Sequence, residues 1–141
     1  MHKVIILAAG LLAIQLNPQA ARAEAGDGNS LLQVCGPDSS MYALCLGQVS
    51  AYVRAFTFAQ VAGMEEVYCM PRNATVGQAI DVLVKYLKEN PSKRHAGGEV
   101  IFLASMSEAW PCAGGPATLH NDGGITLPTS SGLEVTPIPK K

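Results

Sequence analysis

The stretch VYCMPRNATVGQAIDVLVKYLKENP, residues 67–91, contains the clearest helix signal of the chain. Thr75 and Gln78 have the spacing of a capping box, in which the threonine hydroxyl accepts a hydrogen bond from the residue 78 amide and the glutamine side chain reaches back. Pro91 ends the helix because it disfavours helical geometry at Asn90. Between these signals the apolar residues recur at helical spacing, which predicts a buried face of Val76, Ile80, Leu83, Val84 and Leu87.

Two further helices are predicted ahead of this stretch. A short first helix, LLQVC, follows Ser30 as its cap and ends at Gly36. A longer second helix runs from a cap within residues 38–40 to about Ala62, where Gly63 is a natural left-handed terminator. Its apolar residues recur at steps of three and four and predict one buried stripe of Met41, Cys45, Val49, Tyr52, Phe56 and Ala59.

A fourth helix is predicted from about Gly98 to Ala109, and Pro111 closes it. One side of it carries Val100, Leu103, Met106 and Trp110. Because only about eight residues join the third and fourth helices, the two should lie antiparallel. The start of the third helix is therefore expected beside the end of the fourth.

The first 23 residues have the pattern of a secretory signal peptide. Basic His2 and Lys3 precede an apolar run, residues 4–14, which has the length of a signal core and is too short to span a bilayer. Small residues then end the segment at Ala23, where we expect cleavage. The alternative is a buried N-terminal helix. The prediction is an exported protein whose mature chain is residues 24–141.

All four cysteines lie in the mature part, and an even set in an exported protein predicts disulfides. The helix order brings Cys69 to Cys112, and Cys35 to Cys45. In the loop-entropy model these links contribute about 4 and about 3 kcal/mol respectively. The intervals of 10, 24 and 43 residues between successive cysteines do not have the close spacing of zinc ligands. We therefore predict structural disulfides and no metal.

After Cys112 the composition changes to Gly, Pro, Ser and Thr. Residues 113–141 have no sustained apolar period, so their burial cannot offset the entropy of ordering them. They are predicted to form a flexible tail outside the core, with a strand at residues 125–127 or 133–135 as the alternative. The fold class predicted is all-α: a small disulfide-stapled four-helix domain, residues 30–112, with a flexible C-terminal tail.

Charge and motifs favour a binding protein over an enzyme. The mature chain has 8 basic against 11 acidic residues, a net charge of −3, which does not suggest nucleic acid or an anionic membrane as partner. No second apolar run is long enough to anchor it in a membrane. The GxGxxG, P-loop and HExxH patterns are absent. We predict no catalytic residues and no cofactor.

Three stretches resemble the Rap/Tai family of immunity proteins, small periplasmic proteins associated with bacterial type VI secretion. They are CLGQVSAYVRAF (45–56), CMPRNATVGQAIDVLVKYLKENP (69–91) and EVIFLASMSEAWPC (99–112). A Cys-x-Pro, a Thr-x-x-Gln helix start, Val-Lys-Tyr-Leu and a final aromatic-Pro-Cys occur in the family's order. The chain departs from the usual pattern at Gln48-Val49 and at Trp110. The resemblance implies a protein that neutralises a cell-wall-degrading effector by binding it.

A second class, a periplasmic acid-stress chaperone similar in architecture to the HdeA type, stays open. Such a chaperone should be rich in charged residues, whereas this chain has 15%. For either class the oligomeric state is open. The expected protein contacts are two charged loops: the segment with Glu65 and Glu66, and the turn with Lys93, Arg94 and His95. The ordinary alternatives are a solvated loop and a charge complement to a helix C-terminus.

Overall fold

The computed structural model describes residues 26–127. The predicted signal peptide and the possible strand at residues 133–135 lie outside these residues. Four helices form most of the described part: α1 (Gly28–Cys35), α2 (Tyr42–Val61), α3 (Val76–Glu89) and α4 (Gly98–Ala109). A single 3-10 turn, Pro91–Lys93, precedes α4, and two short strands follow it, β1 (Thr118–Leu119) and β2 (Ile125–Thr126). The fold is mainly helical, and the all-α prediction is corrected by this small sheet.

The first two helices start at other residues than predicted. Asp27, not Ser30, caps α1: its carboxylate accepts from the Ser30 amide and from the Ser30 hydroxyl, both at 2.9 Å. Ser30 therefore belongs to the first turn of the helix. In the turn before α2, the Ser39 hydroxyl accepts from the Met41 amide at 3.0 Å, and Met41 caps α2 without a side-chain hydrogen bond.

Helix α3 forms as its local signals predict. The Gln78 amide donates to the Thr75 hydroxyl at 3.2 Å, and the Thr75 amide donates to the Gln78 side-chain oxygen at 2.8 Å. Both halves of the capping box are thus present, and the helix ends before Pro91. Ile80, Leu83 and Leu87 are buried, while Val76 and Val84 are partly buried.

Helix α4 is the centre of the core. All residues from Ile101 to Ser107 are buried, so the prediction of one apolar side understates its burial. Phe102 is fully buried, and its ring lies 5.3 to 6.1 Å from the rings of Tyr52, Phe56 and Tyr68. Helix α4 packs against α1, α3 and β1, and α2 packs on α1 and α3. Within the described residues, no helix has the length and apolar character needed to cross a membrane.

Residues 113–127 fold back onto α4, which corrects the prediction that the tail lies outside the core. The two strands pair antiparallel, with Leu119 opposite Ile125. Leu119 is 3% exposed, and the Ala117 amide donates to the buried Ser107 hydroxyl at 2.6 Å. The first half of the predicted tail therefore completes the core.

A tight turn explains why this segment folds despite its composition. The Asp122 carboxylate accepts from the Gly124 amide at 2.9 Å, and Gly123 has a φ of 84°. A positive φ is readily adopted by glycine, so these residues close a hairpin. The same residue types that indicated a linker are here the residues of a turn.

Candidate partner-binding surfaces

Two disulfides brace the helical domain, and they join the same cysteines that the helix order predicts. Cys35 is bonded to Cys45, and Cys69 to Cys112, each with a Cα–Cα distance of 5.1 Å. The first ties the end of α1 to the start of α2. The second ties the segment before α3 to the residues after α4. Structural disulfides of this kind persist in oxidising compartments.

The residues around the second disulfide do not form a metal site. Glu66, Cys69 and Cys112 have potential ligand atoms within 4.8 Å of one another, and no other such group occurs in residues 26–127. Both sulfurs, however, are joined in the disulfide, so neither is a thiolate that could bind a metal. The Glu66 carboxylate lies 3.5 Å from the Cys69 sulfur as a contact, since a disulfide sulfur has no proton to donate.

Arg94 in the predicted basic turn has a structural role. Its Nε donates to the Leu87 carbonyl at 2.6 Å, and its Nη2 lies 3.4 Å from the Lys88 carbonyl. These are carbonyls of the last turn of α3, where a positive charge is favoured by the helix dipole. Lys93 places its Nζ 5.8 Å from the centre of the Tyr86 ring. Arg94 thus closes α3, which is the alternative role expected for a charge at this position.

Backbone hydrogen bonds from residues 26–28 also fix the turn that contains Arg94. The Gly28 amide donates to the Ala96 carbonyl at 3.3 Å, and the Gly98 amide donates to the Gly26 carbonyl at 3.0 Å. Asp27 and Gly97 form an isolated antiparallel bridge between these bonds. The turn is therefore part of the packed structure, with the His95 side chain exposed at its surface.

Glu65 and Glu66, the other predicted contacts, are exposed near the opposite end of α4. The Cys69 amide donates to the Trp110 carbonyl at 2.8 Å, so this segment meets the C-terminal end of the helix. The basic turn precedes its N-terminal end. Helix α4 has twelve residues, so its two ends are about 18 Å apart. The two charged segments therefore do not form one site.

A groove between the α1–α2 turn and α3 offers a concave surface that the sequence did not reveal. Its volume is about 510 Å³, and Pro37, Tyr42, Ile80 and Val84 contribute apolar lining beside the first disulfide. Its charged lining comes from α3: Asp81, Lys85, Lys88 and Glu89. No local motif marks this groove, because its walls come from positions some 40 residues apart in the chain.

One ion pair orders the α3 side of this groove. The Lys85 Nζ lies 2.7 Å from a Glu89 carboxylate oxygen, one helical turn away. The hydrogen bond and the negative charge of Glu89 raise the pKa of Lys85. Both side chains are exposed, so this pair orients the groove's rim and contributes little to folding.

Helix α2 exposes an apolar face along its length. Of its twenty residues, Cys45 and Val49 are buried, although the helix contains a single charged residue, Arg54. Leu44 is 59% exposed, Phe58 73% and Val61 81%. Met41, at the start of the predicted stripe, is 39% exposed, so that stripe is buried only in part. Large exposed apolar surface of this kind is typical of interaction sites.

A comparison with protein-family models identifies the family to which the helical domain belongs. The family model of Rap1a immunity proteins matches residues 27–112, from the cap of α1 to the last cysteine. The protein therefore belongs to the Rap1a immunity protein family, as the resemblance of its three stretches predicts. No match was found among curated proteins or among solved structures.

Proposed function

We propose that this protein is an exported immunity protein that neutralises a cell-wall-degrading effector of type VI secretion by binding it in the periplasm. The family match over the whole helical domain carries the proposal. Two further features support it. The signal-peptide pattern of residues 1–23 would direct export, and the two disulfides suit the oxidising periplasm.

The scaffold suits a protein that binds a folded partner. The Cys35–Cys45 disulfide restricts movement beside the groove, and the Cys69–Cys112 disulfide restricts movement at the C-terminal end of α4. Binding by an ordered surface loses less conformational entropy than binding by a flexible one. Neutralisation in this scheme needs no chemistry from the immunity protein, because occupation of the effector's surface is sufficient.

We assign the effector contact to the groove between the α1–α2 turn and α3. Its lining combines an apolar centre with charged side chains, the usual composition of a protein interface. Tyr42 is 49% exposed there, and tyrosine is among the residues that contribute most to binding energy. The charged loops with Glu65, Glu66, Lys93 and His95 remain separate candidate contacts. Arg94 is set aside because its guanidinium holds α3.

Protection in cells tests the function. A strain sensitive to the effector encoded beside this gene should survive when it expresses the full chain. A chain without residues 1–23 should not protect at equal abundance, since it would stay in the cytoplasm. The purified proteins should also form a complex. Absence of both protection and complex formation for every effector encoded nearby would refute the proposal.

Charge reversal at single positions tests the contact surface. We expect Lys88→Glu in the groove to raise the effector Kd about tenfold, a change of about 1.4 kcal/mol. Arg72→Glu, at an exposed position before α3, is the matched control and should leave the Kd unchanged. If Lys93→Glu weakens binding and Lys88→Glu does not, the contact is the basic turn. Calorimetric titration measures all three.

The exposed apolar face of α2 is the one observation that favours the chaperone alternative. A chaperone uses such a surface to hold unfolded clients, and it would suppress their aggregation at low pH. Suppression of aggregation without protection against any effector would support that function in place of immunity.

A further inference from the structure

We propose that the groove between the α1–α2 turn and α3 binds an effector segment with a basic, an apolar and an acidic side chain in this order. The basic side chain lies at Asp81, the apolar one beside Val84 and the acidic one at Lys88. This inference rests on the proposed function and adds the chemistry of the partner. The positions and the pairing of the charges along α3 carry it.

Asp81 and Lys88 offer a partner two charges of opposite sign. Both side chains are exposed, and both line the groove. A spacing of seven residues, about two helical turns, places them on the same face of α3 and about 10 Å apart along its axis. Within residues 26–127, no ion pair involves either side chain. Each can therefore pair with a charge of the partner without breaking an ion pair of its own.

The remaining charges of the groove offset each other. Lys85 lies one helical turn after Asp81, but its Nζ contacts a Glu89 carboxylate oxygen at 2.7 Å. Asp38 lines an adjoining hollow of about 400 Å³ together with Lys88, and among the described side chains no ion pair joins these two. The charge presented to a partner is therefore negative near Asp81 and positive near Lys88.

An apolar centre separates the two charges. Val84 lies between them on α3, three residues after Asp81 and four before Lys88, and it is partly buried. Ile80 and Tyr42 add apolar lining beside it. The groove's volume of about 510 Å³ lies in the range of ligand pockets, so it has room for a few side chains. One apolar side chain can thus enter the groove while its charged neighbours reach the two ends.

This arrangement selects both the partner and its direction. A segment with charges of one sign places a like charge at Asp81 or at Lys88. The reversed segment, acidic then basic, places like charges at both ends. Like charges brought together weaken binding and reject wrong partners. The groove therefore discriminates among effectors by the order of their charged residues.

Neutral variants test the two charges, by calorimetric titration with the effector against which the full chain protects. We expect Asp81→Asn and Lys88→Gln each to raise the Kd about fivefold and the two together about 25-fold, since sites about 10 Å apart act independently. The matched control, Arg72→Gln/Glu99→Gln, removes one charge of each sign at exposed positions outside the groove, and it should leave the Kd unchanged. Circular dichroism verifies that all variants are folded.

The direction of the two effects separates local pairing from a general charge effect. The substitutions Asp81→Asn and Lys88→Gln change the net charge in opposite directions. Binding that depends on net charge alone would therefore improve with one and weaken with the other, and this outcome would overturn the inference. So would a double variant that binds as tightly as the wild type.

Charge reversals in the effector identify the paired residues. We expect one acidic position of the effector, changed to lysine, to restore binding to Lys88→Glu, and a different basic position, changed to glutamate, to restore binding to Asp81→Lys. If no single reversal restores binding, or if one position rescues both variants, the inference alone is overturned, because the wild-type complex still forms. Absence of any wild-type complex would overturn the proposed function as well.

Discussion

Gly28 lies where α1 meets α4, and its lack of a side chain permits the contact. A Cβ at this position would lie 2.5 Å from the Ile101 Cδ1 and 3.0 Å from the Arg94 Cα. We expect Gly28→Ala to lower the free energy of unfolding by about 2 kcal/mol, because the core cannot accept the added carbon without moving backbone. Urea unfolding followed by circular dichroism measures this change.

Gly77→Ala is the matched control for that substitution. Gly77 lies within α3, and a Cβ there would meet its nearest neighbour at 3.6 Å, an ordinary contact. The control should raise stability by about 0.5 kcal/mol, since alanine favours the helix over glycine. Equal effects of the two substitutions would show that Gly28 is not a site of close packing.

Arg94→Ala should lower the free energy of unfolding by about 1 to 2 kcal/mol. The substitution removes both hydrogen bonds from the guanidinium to the last carbonyls of α3. Lys93→Ala is the neighbouring control, and its loss should stay below about 1 kcal/mol, because it removes only a cation–π contact at a partly exposed site. Thermal unfolding of the two variants compares them. A larger loss at Lys93 would contradict the capping role of Arg94.

Alkaline pH should weaken the fold through buried tyrosines. Burial raises the pKa of Tyr68 to about 12, and burial with the charge of Glu108 raises the pKa of Tyr86 to about 12. An exposed tyrosine has a pKa of about 10. Folding thus favours the protonated tyrosines. Their contribution to the free energy of unfolding is complete below pH about 10 and is lost as the pH rises to about 12.

The test of this pH dependence is the variant Tyr68→Phe. It cannot ionise at this position, so its free energy of unfolding should fall less steeply than that of the wild type between pH about 9.5 and 11. Adding Tyr86→Phe should reduce the slope further. Urea unfolding at several pH values gives the slopes, and parallel curves for all three proteins would contradict the argument.

At the scale of the elements, the hairpin of β1 and β2 is expected to stabilise α4. A chain that ends after Cys112 loses the packing of Leu119 and leaves the buried Ser107 hydroxyl without the Ala117 amide. We expect this truncation to lower the melting temperature by more than about 5 °C, the effect of roughly 1 kcal/mol in a domain of this size. A chain that ends after Leu127 keeps the hairpin and is the control. Equal melting temperatures for the two truncations would show that the hairpin does not contribute.

Elements with strong local signals are the ones the sequence predicts well. The capping box of Thr75 and Gln78, the break at Pro91 and the left-handed Gly63 act within a few residues, and the structure contains all three. The prediction of Ser30 as the cap of α1 is wrong, because Asp27 and Ser30 are both good caps and the helix begins three residues earlier than its apolar pattern indicates. The sequence offers the hairpin only as the alternative strand at residues 125–127, because its Gly and Asp residues also occur in linkers, and only packing against α4 separates the two outcomes.

The candidate surfaces were harder to predict than the elements. The apolar stripe of α2 indicates the side that faces the core, since Cys45 and Val49 are buried and Tyr52 and Phe56 pack against it. Nearly all other residues of α2 are also apolar or small, so the pattern does not show that apolar side chains are exposed on the other side. The groove needs the tertiary packing of α3 against the turn after α1. The role of Arg94 is predicted only as an alternative, because a charge pattern does not distinguish a bond to carbonyls six and seven residues earlier in the chain from a contact with a partner.

For the whole molecule, the two disulfides should contribute unequally to stability. The Cys69–Cys112 link closes a separation of 43 residues and the Cys35–Cys45 link one of 10. In the loop-entropy model their removal costs about 4 and about 3 kcal/mol. We expect the Cys69→Ala/Cys112→Ala variant to unfold at a lower urea concentration than Cys35→Ala/Cys45→Ala. The reverse order would show that native packing around α1 outweighs loop length.

The bridge between Asp27 and Gly97 also determines when the protein can fold during its synthesis. These residues are 70 positions apart, and α1 packs against both α3 and α4. A ribosome adds about 5 to 20 residues per second, so α1 waits roughly 4 to 14 seconds before its partners exist. Among the contacts of α1, those with α2 are the ones that can form earlier. For the export that we propose, a chain that stays unfolded this long suits passage through a narrow channel, because its structure is complete only after most of the domain has emerged.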